Sequence, residues 1–165
     1  MTESAVKFDQ RLFRDVMGHY PTGVTIVTGV HPAGEQLAMV VGTFASVSLE
    51  PALVSFSPMK TSRTFQQLAE CDSMCINVLT GHQEHIGRTI AGRKADKFEG
   101  LDWHPSPSGA PVLADSLAWI DVRLARTVEA GDHWIALCEV IDLAITNPQA
   151  PLIFFQGGYG RFAVA

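Results

Sequence analysis

Long apolar runs are missing from this sequence. It has no stretch of about 18 uncharged apolar residues, the length a membrane-spanning helix needs. Its opening residues, MTESAVKFDQ, hold no apolar signal core, so the expected compartment is the cytoplasm. Cysteine is scarce: three of 165 residues, Cys71, Cys75 and Cys138, are too few for a disulfide framework and fit reduced thiols. Charged residues make up 18% and leave a net charge of −5, where a general nucleic-acid binder would show a basic excess. Recognisable catalytic signatures are missing too. There is no Walker A sequence, no G-x-S-x-G elbow, no H-E-x-x-H, and no readable triad or carboxylate pair. A chain without a catalytic signature of its own is the expectation when a cofactor carries the chemistry.

What is present reads as one globular domain spanning residues 1–165, with 47% hydrophobic residues. Residues 9–20 predict a short helix: Asp9 can cap it, and Leu12, Phe13, Val16 and Met17 share a face. Strands are expected at 24–30, 37–41, 53–57 and 74–79, and helices at 61–70 and 82–90. Residues 92–109 read as a polar excursion rich in Gly, Pro and Ser. The clearest pattern follows it. Ile120, Val122 and Leu124 alternate with Asp121 and Arg123, and period two returns at 135–145 across a Gly131-Asp132 turn. Residues 152–155 make a last short strand. Strands outnumber helices and are not regularly separated by them. The expected fold is therefore mainly β, an antiparallel barrel with peripheral helices.

Three segments carry candidate chemistry. Residues 57–64, SPMKTSRT, follow a strand, open a helix and hold two cations, which suits either a phosphate or an ordinary capped helix. The surroundings are basic: six of the 12 Lys and Arg fall at 60–97, against four acids. Residues 42–48, GTFASVS, are small enough for a flat ring to approach the backbone, or for a bulged strand at a barrel corner. His133, beside the Gly131-Asp132 turn, suits a ligand contact or plain exposed polarity. The glycines at 157, 158 and 160 lie too near the C-terminus to open a dinucleotide-binding helix. Cys71, Cys75, His82 and His85 imitate a zinc set, but Cys75 falls within an apolar run and reads as core, so no metal is expected.

Taken in order, these segments resemble the flavin reductase-like, FMN-binding split-barrel family, the reductase components of two-component flavin-dependent monooxygenases. FRDVMGHYPTGVTIVTG resembles its opening helix and first strand, TFASVSLEPALVSFS its flavin-ring segment, and KTSRT its phosphate turn. IAGRKADKFEGLDW and GAPVL resemble its loop and re-entry, GDHWIALCEV its hairpin, and PLIFFQGGYGRF its closing strand. The resemblance implies a homodimeric, Greek-key split β-barrel that reduces FAD or FMN with NADH or NADPH, by hydride transfer, for a partner monooxygenase. It implies that Gly42, Thr43, Phe44, Ala45, Ser46 and Ser48 cradle the isoalloxazine. Ser57, Lys60, Ser62 and Thr64 would hold the ribityl phosphate, and Lys97 and Phe98 would lie near the flavin tail. His133 would dock the nicotinamide, with Tyr159 bordering the same pocket. Met39, Gly42 and Cys138 depart from the residues frequent in the family at those positions. Two rival readings are a flavoprotein or oxidase with tightly held flavin and a noncatalytic dimeric interaction module.

Overall fold

A computed structural model describes residues 8–92 and 96–163. Helix α1 (Gln10–Gly18) starts where expected, with the Asp9 carboxylate accepting from Arg11 N at 2.9 Å. Strands β1 (Thr22–Gly23), β2 (Thr25–Val30), β3 (Gln36–Val41), β4 (Ala45–Leu49) and β5 (Ala52–Phe56) follow. Helix α2 (Arg63–Leu68), strand β6 (Met74–Val78) and helix α3 (Glu84–Ala91) come next. Then come β7 (Trp103–Pro105), β8 (Pro111–Leu113), the long pair β9 (Ala118–Ala130) and β10 (His133–Ile145), and finally β11 (Leu152–Phe155) and β12 (Gly158–Arg161).

Seven strands form one antiparallel sheet in the order β3-β2-β6-β9-β10-β5-β4. The sheet curls on itself: Leu37 and Val41 of β3 share a core with Val54 and Phe56, which lie near the opposite edge. The register shifts between Leu137 and Cys138 and between Val140 and Asp142 help β10 to bend. The curled sheet stays open where residues 42–44 carry the chain from one edge strand to the other, and the fold is a split β-barrel. Strands β1, β11 and β12 make a second small sheet, and β7 pairs with β8. Among the described residues, no helix is long and apolar enough to cross a membrane.

Strands β1, β8 and β12 go beyond the sequence reading, and two further details differ from it. The polar excursion is not wholly irregular, because it contains β7 and places Phe98, 6% exposed, in a core cluster with Ile90 and Leu113. Asp121 alternates with apolar neighbours yet is fully buried. The reason is a cover over the outer face of β9: Ser108 N donates to Asp121 Oδ2 at 2.9 Å, and the Ser108 hydroxyl donates to Oδ1. Cys75 and Cys138 lie in the core, where burial pushes both thiols up to about 12.

Candidate functional site

Residues 42–44 lie at the opening of the barrel, and two cavities border this segment. One, of about 300 Å³, is bounded by Tyr20, Thr22, Gly23, Gly42, Thr43, Phe44 and Ala45. The other, of about 240 Å³, lies against Val24, Val40, Phe154 and Tyr159, and again meets Thr22, Gly23 and Gly42. Gly42 therefore stands on the seam between them. A Cβ at this position would come within 3.2 Å of Thr22 Oγ1, so the missing side chain keeps the seam open. Strand β4, which follows, is a sheet edge, and among the described residues one side of its backbone lacks a ladder partner. Such an edge offers N–H and C=O groups to the polar rim of a flat ring. A bulge lies here as well, since Val47 has no partner between Ser46 and Ser48.

The second segment is tied to the first. Thr43 Oγ1 accepts from Ser57 N at 2.8 Å, fixing the end of β5 against the 42–44 loop. Ser62 caps α2 by accepting from Phe65 N at 3.2 Å, and Thr64 is half-buried in the first turn.

The tip of the β9–β10 hairpin docks on the same turn. Lys60 N donates to Asp132 O at 3.0 Å, Trp134 N donates to Pro58 O at 2.9 Å, and Met59 bridges to His133. The Lys60 ammonium pairs with the Glu129 carboxylate and stands 5.1 Å from the centre of the Trp134 ring. His133 Nδ1 lies 2.7 Å from Asp132 Oδ1. A carboxylate only accepts, so Nδ1 carries the proton, and in the neutral ring Nε2 is left as an acceptor. The hydrogen bond from His133 holds the Asp132 carboxyl below its ordinary value, and Lys60 does the same for Glu129. His133 and Met59 line a cavity of about 630 Å³ with Phe8, Phe13 and Arg14.

The 42–44 loop is thus bonded to the start of the 57–64 turn through Thr43 and Ser57, and that turn is bonded to the hairpin tip carrying His133. Ser46 and Ser48 continue along β4. Tyr159 meets the Gly42 seam from the other side, its ring 5.2 Å from that of Phe154 and 4.9 Å from the Arg88 guanidinium. Within one chain, His133 and Tyr159 border different cavities. The Lys97 ammonium donates to Gly92 O, and the Phe98 ring packs edge-on against Trp103, 6.1 Å between centres. A further cleft of about 400 Å³ beside Thr80, His82, Asp102 and Asp115 contains none of the candidate residues.

Sequence reasoning missed Glu129, Trp134 and Thr22. Glu129 and Trp134 oppose each other in the hairpin register. The Gly131-Asp132 turn carries a signal for that pairing, but nothing local links either residue to Lys60.

These segments fit a flavin: a seam without a side chain, an unpaired sheet edge, and a turn carrying hydroxyls and a cation. The profile of the flavin reductase like domain matches residues 17–163. A flavin reductase of Pseudomonas putida is 41% identical, over 94% of this chain and 91% of its own. The reductase subunit of a flavin-dependent monooxygenase from Rhodococcus jostii is 40% identical, over 94% of this chain and 80% of its own. Among solved structures, the NADH:FAD oxidoreductase of Streptomyces globisporus, in complex with NAD and FAD fragments, superposes with a TM-score of 0.87. It is 35% identical, with 96% of this chain and 98% of that one covered. The chain belongs to the flavin reductase like domain family.

Proposed function

We propose that this chain is an NAD(P)H:flavin oxidoreductase that reduces FAD or FMN and supplies the reduced flavin to a partner monooxygenase. The observation that carries this reading is that Thr43 is bonded to Ser57 at the start of the 57–64 turn, and that this turn is bonded through Pro58, Met59 and Lys60 to the hairpin tip at 132–134. It supports reading the Gly42 segment, the 57–64 turn and the His133 hairpin tip as parts of one site. The names and bound fragments of the relatives support flavin and NADH as substrates and a monooxygenase as partner.

When bound, the flavin supplies the hydride acceptor, and the chain's contribution is orientation. In this reading Gly42, Thr43, Phe44, Ala45, Ser46 and Ser48 face the isoalloxazine. Ser57, Lys60, Ser62 and Thr64 hold the phosphate, with Lys97 and Phe98 toward the tail. His133 Nε2 accepts from the carboxamide N–H of the nicotinamide, and Tyr159 closes the other side of the seam.

The test is NADH oxidation by purified protein with added FAD or FMN. Rapid consumption that requires added flavin is expected. In the same assay His133→Ala raises the KM for NADH severalfold and leaves the half-saturating flavin concentration unchanged. No consumption with either nucleotide counts against the reductase. Yellow protein that keeps its flavin through dialysis without turnover favours a flavoprotein of another kind, and no flavin binding at all leaves an interaction module.

A homodimer is part of the proposal. Leu12, Phe13, Val16 and Met17 on α1 are each more than half exposed, and Ile135, Ile141, Leu143 and Ile145 stand out from β10. Apolar faces of this extent favour a partner surface, here a second copy. Sedimentation should give one species of twice the chain mass, whereas a monomer at micromolar concentration would remove the dimer. Residues 1–165 act as one domain, which the continuous seven-stranded sheet supports. Three free cysteines favour a reducing compartment, the cytoplasm.

A further inference from the structure

The cation at the phosphate turn is already engaged. The Lys60 ammonium pairs with Glu129, and Asp132 stands close enough for Lys60 to lower its carboxyl further. Lys60 N is fixed to Asp132 O, so its side chain reaches out from an anchored backbone. The Trp134 ring lies under the ammonium at 5.1 Å, and in the hairpin register it is directly opposite Glu129. Arg63, the other cation of the turn, makes no ion pair among the described residues. The contrast isolates Lys60 as the cation with a competitor built beside it.

We infer that the β9–β10 hairpin tip sets flavin affinity, with the Glu129 carboxylate competing against the flavin phosphate for the Lys60 ammonium. The inference rests on the reading of residues 57–64 as the phosphate turn. To capture a phosphate, Lys60 must exchange one anion for another, while Trp134 keeps the ammonium at the turn during the exchange. The gain from phosphate binding is therefore a difference between two ion pairs, which keeps the flavin loosely held. Loose binding suits a protein whose product leaves for another enzyme. Glu129 is a positioning residue here, acting on the flavin only through Lys60. Its side chain is 71% exposed, so its neutral isostere does not disturb the core.

The experiment is titration of wild type and Glu129→Gln with FMN, FAD and riboflavin, which has the ring and ribityl chain but no phosphate. Glu129→Gln should tighten FMN or FAD by roughly twofold to fivefold, the scale of one exposed ion pair, and leave riboflavin unchanged. The gain should shrink at high salt, because the competition is between solvent-accessible charges. Unchanged or weaker binding of both phosphate-bearing flavins would overturn the inference. So would equal tightening of riboflavin, which would mean that the hairpin merely loosened. Lys60→Ala, titrated beside it, separates the two levels. If that variant binds FMN and FAD like wild type, the phosphate turn itself is misassigned and the inference falls with it.

Discussion

Gly42→Leu should reduce flavin-dependent NADH oxidation by more than tenfold while the protein stays folded. Gly42 borders both cavities at the barrel opening, so a branched side chain projecting from it obstructs the seam from either side. Excluding a flat ring from on the order of 100 Å² of apolar contact removes about 2.5 kcal/mol, nearly two decades of affinity. The fold is spared because Gly42 is exposed and does not sit in the left-handed region. Its nearest neighbour would be the Thr22 hydroxyl, a side chain that can rotate away. Gly42→Ala is the graded control: at 3.2 Å from Thr22 Oγ1 its methyl group is tight but small, and a loss of only a few fold is expected. The leucine effect should extend to riboflavin, because the obstruction is at the ring. Full activity in Gly42→Leu, with unchanged flavin half-saturation, would move the flavin away from the seam.

The parts of this site were legible in the sequence one segment at a time. Small residues at 42–48 announced a place where backbone could be approached closely. The hydroxyls and cations at 57–64 announced a helix start with anion-binding groups. The alternation at 120–124 and 135–145 around Gly131-Asp132 gave the longest hairpin, because period two is a local signal. What was not legible is what joins them. The Ser57 to Thr43 bond, the docking of Trp134 on Pro58, and the Lys60–Glu129 pair link residues far apart in the chain. No periodicity encodes such contacts. The same limit explains Asp121. A charged residue at an alternating position reads as solvent-facing, and only the cover supplied by Ser108 makes its burial affordable. It explains α1 in the opposite sense. Its apolar stripe is real, but none of its residues is buried within the chain. A periodic face says that something covers a helix and does not say what.

Asn77→Ala should cost about 2–4 kcal/mol of stability. Asn77 is fully buried in β6, and its amide works in both directions. Nδ2 donates toward Ile26 O at 3.2 Å and Thr28 Oγ1 at 3.1 Å, while Oδ1 accepts from Leu113 N at 2.8 Å. The side chain therefore pins the β7–β8 hairpin to the main sheet. Truncation strands the Leu113 N–H and leaves a small cavity. A protein of this size loses about 2–4 °C of Tm per kcal/mol, so a fall of roughly 5–15 °C is expected in a thermal melt. Asn77→Asp separates the two halves of the role. It keeps an acceptor for Leu113 N, loses the donor, and buries a carboxylate among carbonyl oxygens. Burial raises the folded-state pKa of that carboxyl above its unfolded value. The protonated form is then favoured in the fold. Relative to wild type, the aspartate variant should recover stability as pH falls and lose it as pH rises through the raised pKa. A loss under about 1 kcal/mol in Asn77→Ala would mean that the hairpin is held by its apolar contacts alone. Asn77 borders none of the cavities around Gly42 or His133, so at temperatures where the variant stays folded its flavin-dependent turnover should match wild type. That combination, a large stability loss with unchanged chemistry, is what distinguishes a pin of the scaffold from a residue of the site.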